Sequence, residues 1–471
     1  MNANAETELR DLQAGMAAEL SAHLDQHLER LTWGADRIAS YQRHRLRVLL
    51  AHAAEHSRFH ARRLRGLDIG RFELADLARL PTMTKAEMMA GFDELVTDSR
   101  LGRDIVEQHL AASETEPRLL CGEYVCLASG GSSGLRGIFV QTVAEYTDFV
   151  ASVVRSGWTR MIAGGGPPPG GLVIGLVGAA SPVHSSGFGA AVSGPPVQMI
   201  AAPATLPLQE IVRRLNAAQP PALLGYPSKL AELAGEQQEG RLRIAPRSVT
   251  AMSELLTAEA RALIGDAFGV AVVDQFVSTE GLAGQSEPHG SVFEFASDLC
   301  LVELVDANNQ PVPEGVRSEK ALVTNLHNLT QPLVRYELTD RFIGRPGTPG
   351  HGHLRASVEG RADEVFRFGG IEVYPHVLRS VLTTTAAVRE YQVRQTERGI
   401  DVACVSVGRV DQPALAAQLA RALSRAGVAE PRVDVRLVGE VVRDPKSGKT
   451  RRFIPRQPPP SGPPAVAEVV R

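Results

Sequence analysis

Lysine is nearly absent from this 471-residue chain. Lysines stand only at positions 85, 229, 320, 446 and 449, although Lys and Arg together number 50. An ordinary basic position here is arginine, and each lysine asks for a reason. Cysteine is scarce too: Cys121, Cys126, Cys300 and Cys404 form no C-x-x-C pair and no His-spaced pattern. That excludes a disulfide scaffold and a zinc module, and it fits a reduced compartment. The longest apolar run, around "LVIGLVGAA" (172–180), falls well short of the roughly 20 residues of a membrane helix. The opening "MNANAETELRDLQAG" carries acids and no apolar stretch, unlike a signal peptide. The expectation is a cytoplasmic protein with no membrane partner. A surplus of one charge is also missing: the net charge is −3 and the pI about 6.5. A nucleic-acid partner is not expected, because no basic face is available to meet phosphates.

What is present is an ordinary globular balance, 44% hydrophobic and 22% charged, in a length that suits two or three domains. Residues 6–60 read as helices, and "LARLPTMTK" (77–85) gives a proline turn with a helix cap at Thr84. From residue 120 short aliphatic runs alternate with helical stretches. "GLVIGLVG" (171–178), "PALLGY" (221–226), "SVTAM" (248–252) and "VAVVDQF" (270–276) read as strands, with "SKLAELAGEQQ" and "TAEARALIGDAF" as helices between them. Such alternation predicts an α/β domain on a parallel sheet. Residues 301–358 are strand-rich. The chain then restarts as a small α+β domain, whose helix opens with Asp411 as cap and Pro413 in its first turn. The fold class is α/β: a large N-terminal α/β domain over 1–361, a small mobile C-terminal α+β domain over 362–455, and a Pro-rich tail at 456–471 that reads as disordered.

Two motifs lead nowhere. "HAAEH" (52–56) has the spacing of a zinc-binding helix but no third ligand, and reads as a solvated face. "SGKT" (447–450) lacks the preceding glycine of a nucleotide-binding P-loop, with Arg443 standing there instead.

The stretch "LASGGSSGLRG" (127–137) follows a strand and is rich in Gly and Ser. By itself such a loop is a linker or an anion cradle. Behind it come, in order, "SELL" (253–256), "DQFVSTEG" (274–281), "LVRYELTDR" (333–341), "GRADEVFRFGGIEVYP" (360–375) and "PKSGKTRR" (445–452). The set resembles the adenylate-forming superfamily of acyl-CoA synthetases and related ligases. "LLAHAAEHSRFHARRL" (49–64) and "LARLPTMTK" look like the opening of its phenylacetate–CoA ligase branch.

The resemblance implies an AMP-forming acid–thiol ligase. A carboxylate would attack the α-phosphate of ATP, and coenzyme A would then take the acyl group. The acid would be aryl or arylacetic. Ser129, Gly130, Gly131, Ser132, Ser133 and Gly134 would wrap the phosphates, since glycine lets backbone amides approach an anion closely. Arg136 would supply the charge for which relatives carry a lysine at the position of Leu135. Thr279 would meet the α-phosphate, and Glu280 would hold Mg2+, a hard cation suited to a carboxylate. Phe276, Ser253 and Glu254 would border the adenine. Asp340 would accept from the ribose hydroxyls, with Arg361 near the same nucleotide and Asp363 as the hinge of the small domain. Lys449 would bridge carboxylate and phosphate as the adenylating lysine. A compact point charge suits that task, and it explains a lysine where arginine is the habit. His184, Phe188 and Tyr226 are candidates for the acid pocket. Leu135, and Val277 in place of a glycine, leave two alternatives open: an amine or carrier-protein thiol as acceptor, and a non-catalytic binding protein. A homodimer is a possible assembly.

Overall fold

The computed structural model describes residues 3–129, 136–166, 171–179, 181–194, 197–361, 364–385, 387–406, 408–445 and 447–456. The chain divides into two compact units: Met1–Gly360 with Asp444–Lys449, and Arg361–Arg443 with Thr450–Arg471.

The first unit is organised by a nine-stranded sheet. Five neighbouring strands are parallel: Val197–Ala201, Leu172–Val177, Ala222–Gly225, Ser248–Met252 and Val272–Val277. Antiparallel strands Ala283–Ser286, Val292–Phe295 and Arg355–Arg361 extend it, and Asp340–Arg345 forms the edge. The four aliphatic runs read from the sequence all fall on the parallel strands. They are short and aliphatic because both of their faces are turned inward.

The two faces differ. Leu223, Val249, Ala251 and Val272 point to one side, where they meet Ile211 and Leu215 of helix Leu208–Ala218, Leu230 and Leu233 of Pro227–Gln238, and Ile264 of Ala258–Phe268. This side is tightly filled. A Cβ added at Gly175 would lie 2.9 Å from both Leu215 Cδ2 and Pro220 Cγ. On the other side lie the 21-residue helix Val143–Ala163, opened by a reciprocal cap between Thr142 and Glu145, and the N-terminal helix Ala3–Arg30 packed against it. Ile174, Leu224, Thr250 and Val273 face this side across a cavity.

A three-stranded antiparallel sheet of Cys300–Val305, Lys320–Asn325 and Tyr336–Leu338 completes the unit. Thr84 and Glu87 cap each other's backbone amides at the helix Lys85–Ala90, at the position read from the sequence. No group of three or more His, Cys, Asp or Glu side chains suited to a metal occurs among the described residues, the "HAAEH" pair included. Among them, too, no helix is long and apolar enough to cross a membrane.

The second unit has a four-stranded sheet, ordered Arg432–Leu437, Gly399–Ser406, Val388–Gln395 and Phe453–Ile454. Helices Pro375–Thr384 and Gln412–Arg425 cover it, burying Leu378, Leu382, Leu415, Leu419 and Leu423. Asp411 caps the second helix by accepting from Ala414 N at 2.9 Å.

Candidate active site

Parallel register places the candidate residues. Val177 lies opposite Gly225, Gly225 opposite Ala251, and Met252 opposite Gln275. The segments leaving these strands therefore depart from one edge of the sheet: Tyr226, Ser253–Glu254 and Ser278–Glu280. The carboxyl edge of a parallel sheet is where open α/β folds bind ligands, because the connecting loops there diverge and leave a crevice. The hairpin strand Tyr124–Ala128 ends beside the same edge, with Ala128 N donating to Val183 O at 2.7 Å.

Ser129 closes the base of the Gly/Ser loop. Its amide donates to Gly137 O at 2.9 Å, and its Oγ accepts from Gly137 N at 2.8 Å. The loop residues Gly130, Gly131, Ser132, Ser133 and Gly134 lie outside the described residues, as does Asp363. Arg136, on the loop's exit, is exposed.

The Thr279–Glu280 turn is rigidly supported. Ser278 N and Leu282 O close it at 2.9 Å, and Gly281 adopts φ +101, where a Cβ would sit 2.2 Å from Asn325 Nδ2. That amide is instead free to donate to Glu280 O at 2.9 Å. The Glu280 carboxylate is buried, and the Tyr336 hydroxyl donates to it at 3.4 Å. Thr279 beside it is half-buried.

Lys449 sits in the loop Asp444–Lys449, which clusters with the first unit. Asp444 shapes the loop, accepting through its carboxylate from Ser447 N and Oγ at 2.7 and 2.8 Å. Gly448 takes φ +73, and a Cβ there would come within 2.9 Å of Ala204 Cβ. The half-buried Lys449 ammonium lies 5.7 Å from the centroid of the Tyr226 ring, within cation–π range. His184 stands just before the helix Ser185–Ala191, with Nδ1 3.1 Å from Ala128 O. Burial holds its pKa below the ordinary value; the Ala128 carbonyl opposes this, while Lys449 and Arg136 add to it. Arg136, His184, Tyr226 and Lys449 thus share one corner, where the Asp444 carboxylate partly offsets the two cations.

The remaining candidates are placed as follows. Ser253 has φ +67, a left-handed conformation rare for a residue with a Cβ. Glu254 Oε2 accepts from Ser228 N at 3.2 Å, at the start of helix Pro227–Gln238. Phe276 packs edge-on against Phe295 and Phe342, with centroids 5.7 and 5.6 Å away. Asp340 begins the edge strand Asp340–Arg345 of the large sheet. Arg361 falls in the second unit. Phe188 is a core side chain, 5.2 Å from Tyr146 in a T-shaped pair.

Behind the carboxyl edge opens a cavity of about 760 Å3. His184, Phe188 and Tyr226 are not among its lining residues. Their neighbours Ser185, Ser186 and Gly189 are, with Met252 and Val277 from the sheet and Val150 and Val153 from the long helix. These residues carry no motif. The only sequence signal for them is the run of small and aliphatic residues in 143–163.

No protein-family model and no curated protein matches the chain. Solved structures do. 2-Hydroxyisobutyryl-CoA ligase in the postadenylation state, in complex with R3-HIB-AMP, aligns over 91% of both chains at 19% identity with a TM-score of 0.67. The same ligase in complex with 2-HIB-AMP and CoA in the thioesterification state aligns over 90% of this chain and 91% of that one, at 18% identity and a TM-score of 0.55. ATP-bound MatB from Rhodopseudomonas palustris aligns over 68% of this chain and 65% of that one, at 16% identity and a TM-score of 0.50. Likeness at such identities is likeness of fold, and the fold of this chain is that of the adenylate-forming CoA ligases.

Proposed function

We propose that the chain is an ATP-dependent carboxylic acid ligase working through an acyl-adenylate. A carboxylate oxygen attacks the α-phosphorus, the bond to the bridging oxygen breaks, and pyrophosphate leaves with the electron pair. The coenzyme A thiol, losing its proton, then attacks the acyl carbon and AMP departs. The observation that carries this reading is that Lys449 and His184 gather beside Tyr226 at the sheet edge from which the Thr279–Glu280 turn also departs. Two anions must be brought together there, and charge that builds on phosphoryl oxygens is met by donors and cations already in place. Glu280 is one buried carboxylate beside a hydroxyl. That suits Mg2+ arriving with the nucleotide, since Mg2+ is commonly held by one or two carboxylates plus phosphate oxygens. The bound ion would neutralise phosphate charge. Asp340 is the proposed ribose partner, Arg361 a further nucleotide contact and Asp363 the hinge. Resemblance to one ligase branch favours an aryl or arylacetic acid; the size of the cavity behind the site favours a longer one.

The test is Lys449→Ala. Pyrophosphate exchange driven by an accepted acid should fall about a hundredfold or more, as for other groups aimed at transition-state charge. Conversion of supplied acyl-adenylate by coenzyme A should stay near the parent rate. Undiminished exchange would remove Lys449 from the site, and equal loss of both half-reactions would point to a damaged fold.

A further inference from the structure

The cavity is far larger than an aryl acid requires. A dry protein cavity of about 150 Å3 holds one benzene ring, and the space here is about 760 Å3, some five times that. Its shape follows the strands. At one end it is bounded by Ser186, Met252 and Val277, next to the candidate reacting groups. At the other it is bounded by Pro221, Arg247 and Val270, where the same strands begin. Val270 to Val277 spans seven residue steps of about 3.3 Å, so the cavity is roughly 20 Å long. The wall between its ends is mostly aliphatic, with Leu20, Val153, Leu172, Ile174, Leu224 and Val273, and Thr250 between the last two. Polar side chains are the minority of the lining: Ser186 and Gln275 toward the strand ends, Thr250 midway, and Arg160, whose Nη2 donates to Gln285 Oε1 at 2.8 Å.

One lining residue shows that the space is sequence-encoded. Gly157 lies inside the helix Val143–Ala163, where glycine costs about 1 kcal/mol relative to alanine. A Cβ there would meet nothing nearer than Arg160 Nη2 at 4.0 Å. The helix gives up stability at a position where a side chain would project toward open space.

Resting on the ligase reading above, we infer that this cavity takes the long unbranched alkyl chain of a fatty acid, with its carboxylate at the Thr279–Glu280 end and its methyl end between the long helix and the strand starts. A cavity this long and this largely aliphatic gives a flexible hydrocarbon contact along its length. A single ring would leave most of the wall facing void.

The experiment uses the full chain and two readouts. The first is pyrophosphate exchange with benzoate, phenylacetate, octanoate, dodecanoate and hexadecanoate. The second is the fluorescence of cis-parinaric acid, which reports binding without chemistry. Expected are parinarate binding displaced by hexadecanoate, and kcat/KM rising by up to about fourfold for each buried methylene until the cavity is full. Gly157→Phe should lower kcat/KM for hexadecanoate about tenfold more than for octanoate. Leu224→Phe, from the opposite wall, should do the same and guards against a folding failure of the first variant. The inference is overturned if benzoate or phenylacetate outruns dodecanoate, or if both variants lower all acids alike; the ligase reading would survive that result. Parinarate binding with no exchange for any acid would sink the ligase reading and leave the alkyl cavity standing. Loss of both signals would overturn both.

Discussion

One set of five parallel strands presents two faces, and only one of them is filled. On the first, Val249, Ala251 and Val272 meet three helices, and the contact at Gly175 is so close that a methyl group does not fit. On the second, Thr250, Val273 and Gln275 alternate with those residues along the same strands and face a cavity. The contrast arises from what covers each face. Three short crossover helices lie directly on the first. Over the second, one long helix carries Gly157 and a helix from the chain's start packs against its side. Packing density serves stability on one side and access on the other, and the same strand ends that hold the candidate reacting groups border both.

The sharpest way to break this comparison is to truncate one leucine on each face. Leu215→Ala, fully buried on the filled face, should cost about 2–5 kcal/mol. Leu224→Ala, on the open face, should cost under about 1.5 kcal/mol, because it removes few contacts that are actually made. Denaturant titration of both variants measures this, and equal losses would mean that the second face is packed in solution.

A charge buried on the filled face gives the next largest effect. Asp274 lies between Val272 and Phe276, with Arg261 at 3.8 Å. Burial pushes its carboxyl up to about 7, against the pull of Arg261. With the folded value above the unfolded one, the stability that this group lends is complete below about pH 4 and is lost as pH rises through about 7. Asp274→Asn should therefore be more stable than the parent by roughly 2–4 kcal/mol at pH 8 and should flatten the fall in melting temperature between pH 5 and 8. Its neighbour Gln275, on the open face, is uncharged and donates to Val153 O at 2.7 Å. A Gln275→Ala control should leave that slope unchanged.

The smallest effects come from two glycines and carry opposite signs. Gly175→Ala, driven against Leu215 and Pro220, should destabilise by about 1–3 kcal/mol. Gly157→Ala should stabilise by about 0.5–1 kcal/mol, since it restores helix propensity at no steric cost. Thermal melts of the two would erase the comparison if both moved the same way.

Local chemistry was legible from the sequence wherever an element announces itself within a few residues. The caps at Thr84 and Asp411 form where a hydroxyl or carboxylate precedes a helical run. The parallel strands form where aliphatic runs alternate with helical ones. The capping pair Thr142–Glu145 has the same signature and opens a 21-residue helix that was not read as one, because its small and β-branched residues, "ASVV" among them, blur the helical period. The antiparallel strands Ala283–Ser286 and Val292–Phe295 were also missed. They are four residues each, and their pairing is decided by partners distant in the chain.

The same division holds at the site. Sequence by itself determined the order of the motifs, the turn glycine Gly281 after Thr279–Glu280, and Lys449 in the late loop, because each is a local choice of side chain or backbone freedom. Only the tertiary structure decided that Tyr226, His184 and Lys449 share a corner, that Phe188 is core, and that the strands' second face is left open. Those outcomes depend on register between strands and on how far a helix stands from a sheet. Both are set by contacts between residues tens to hundreds of positions apart, which no local pattern records.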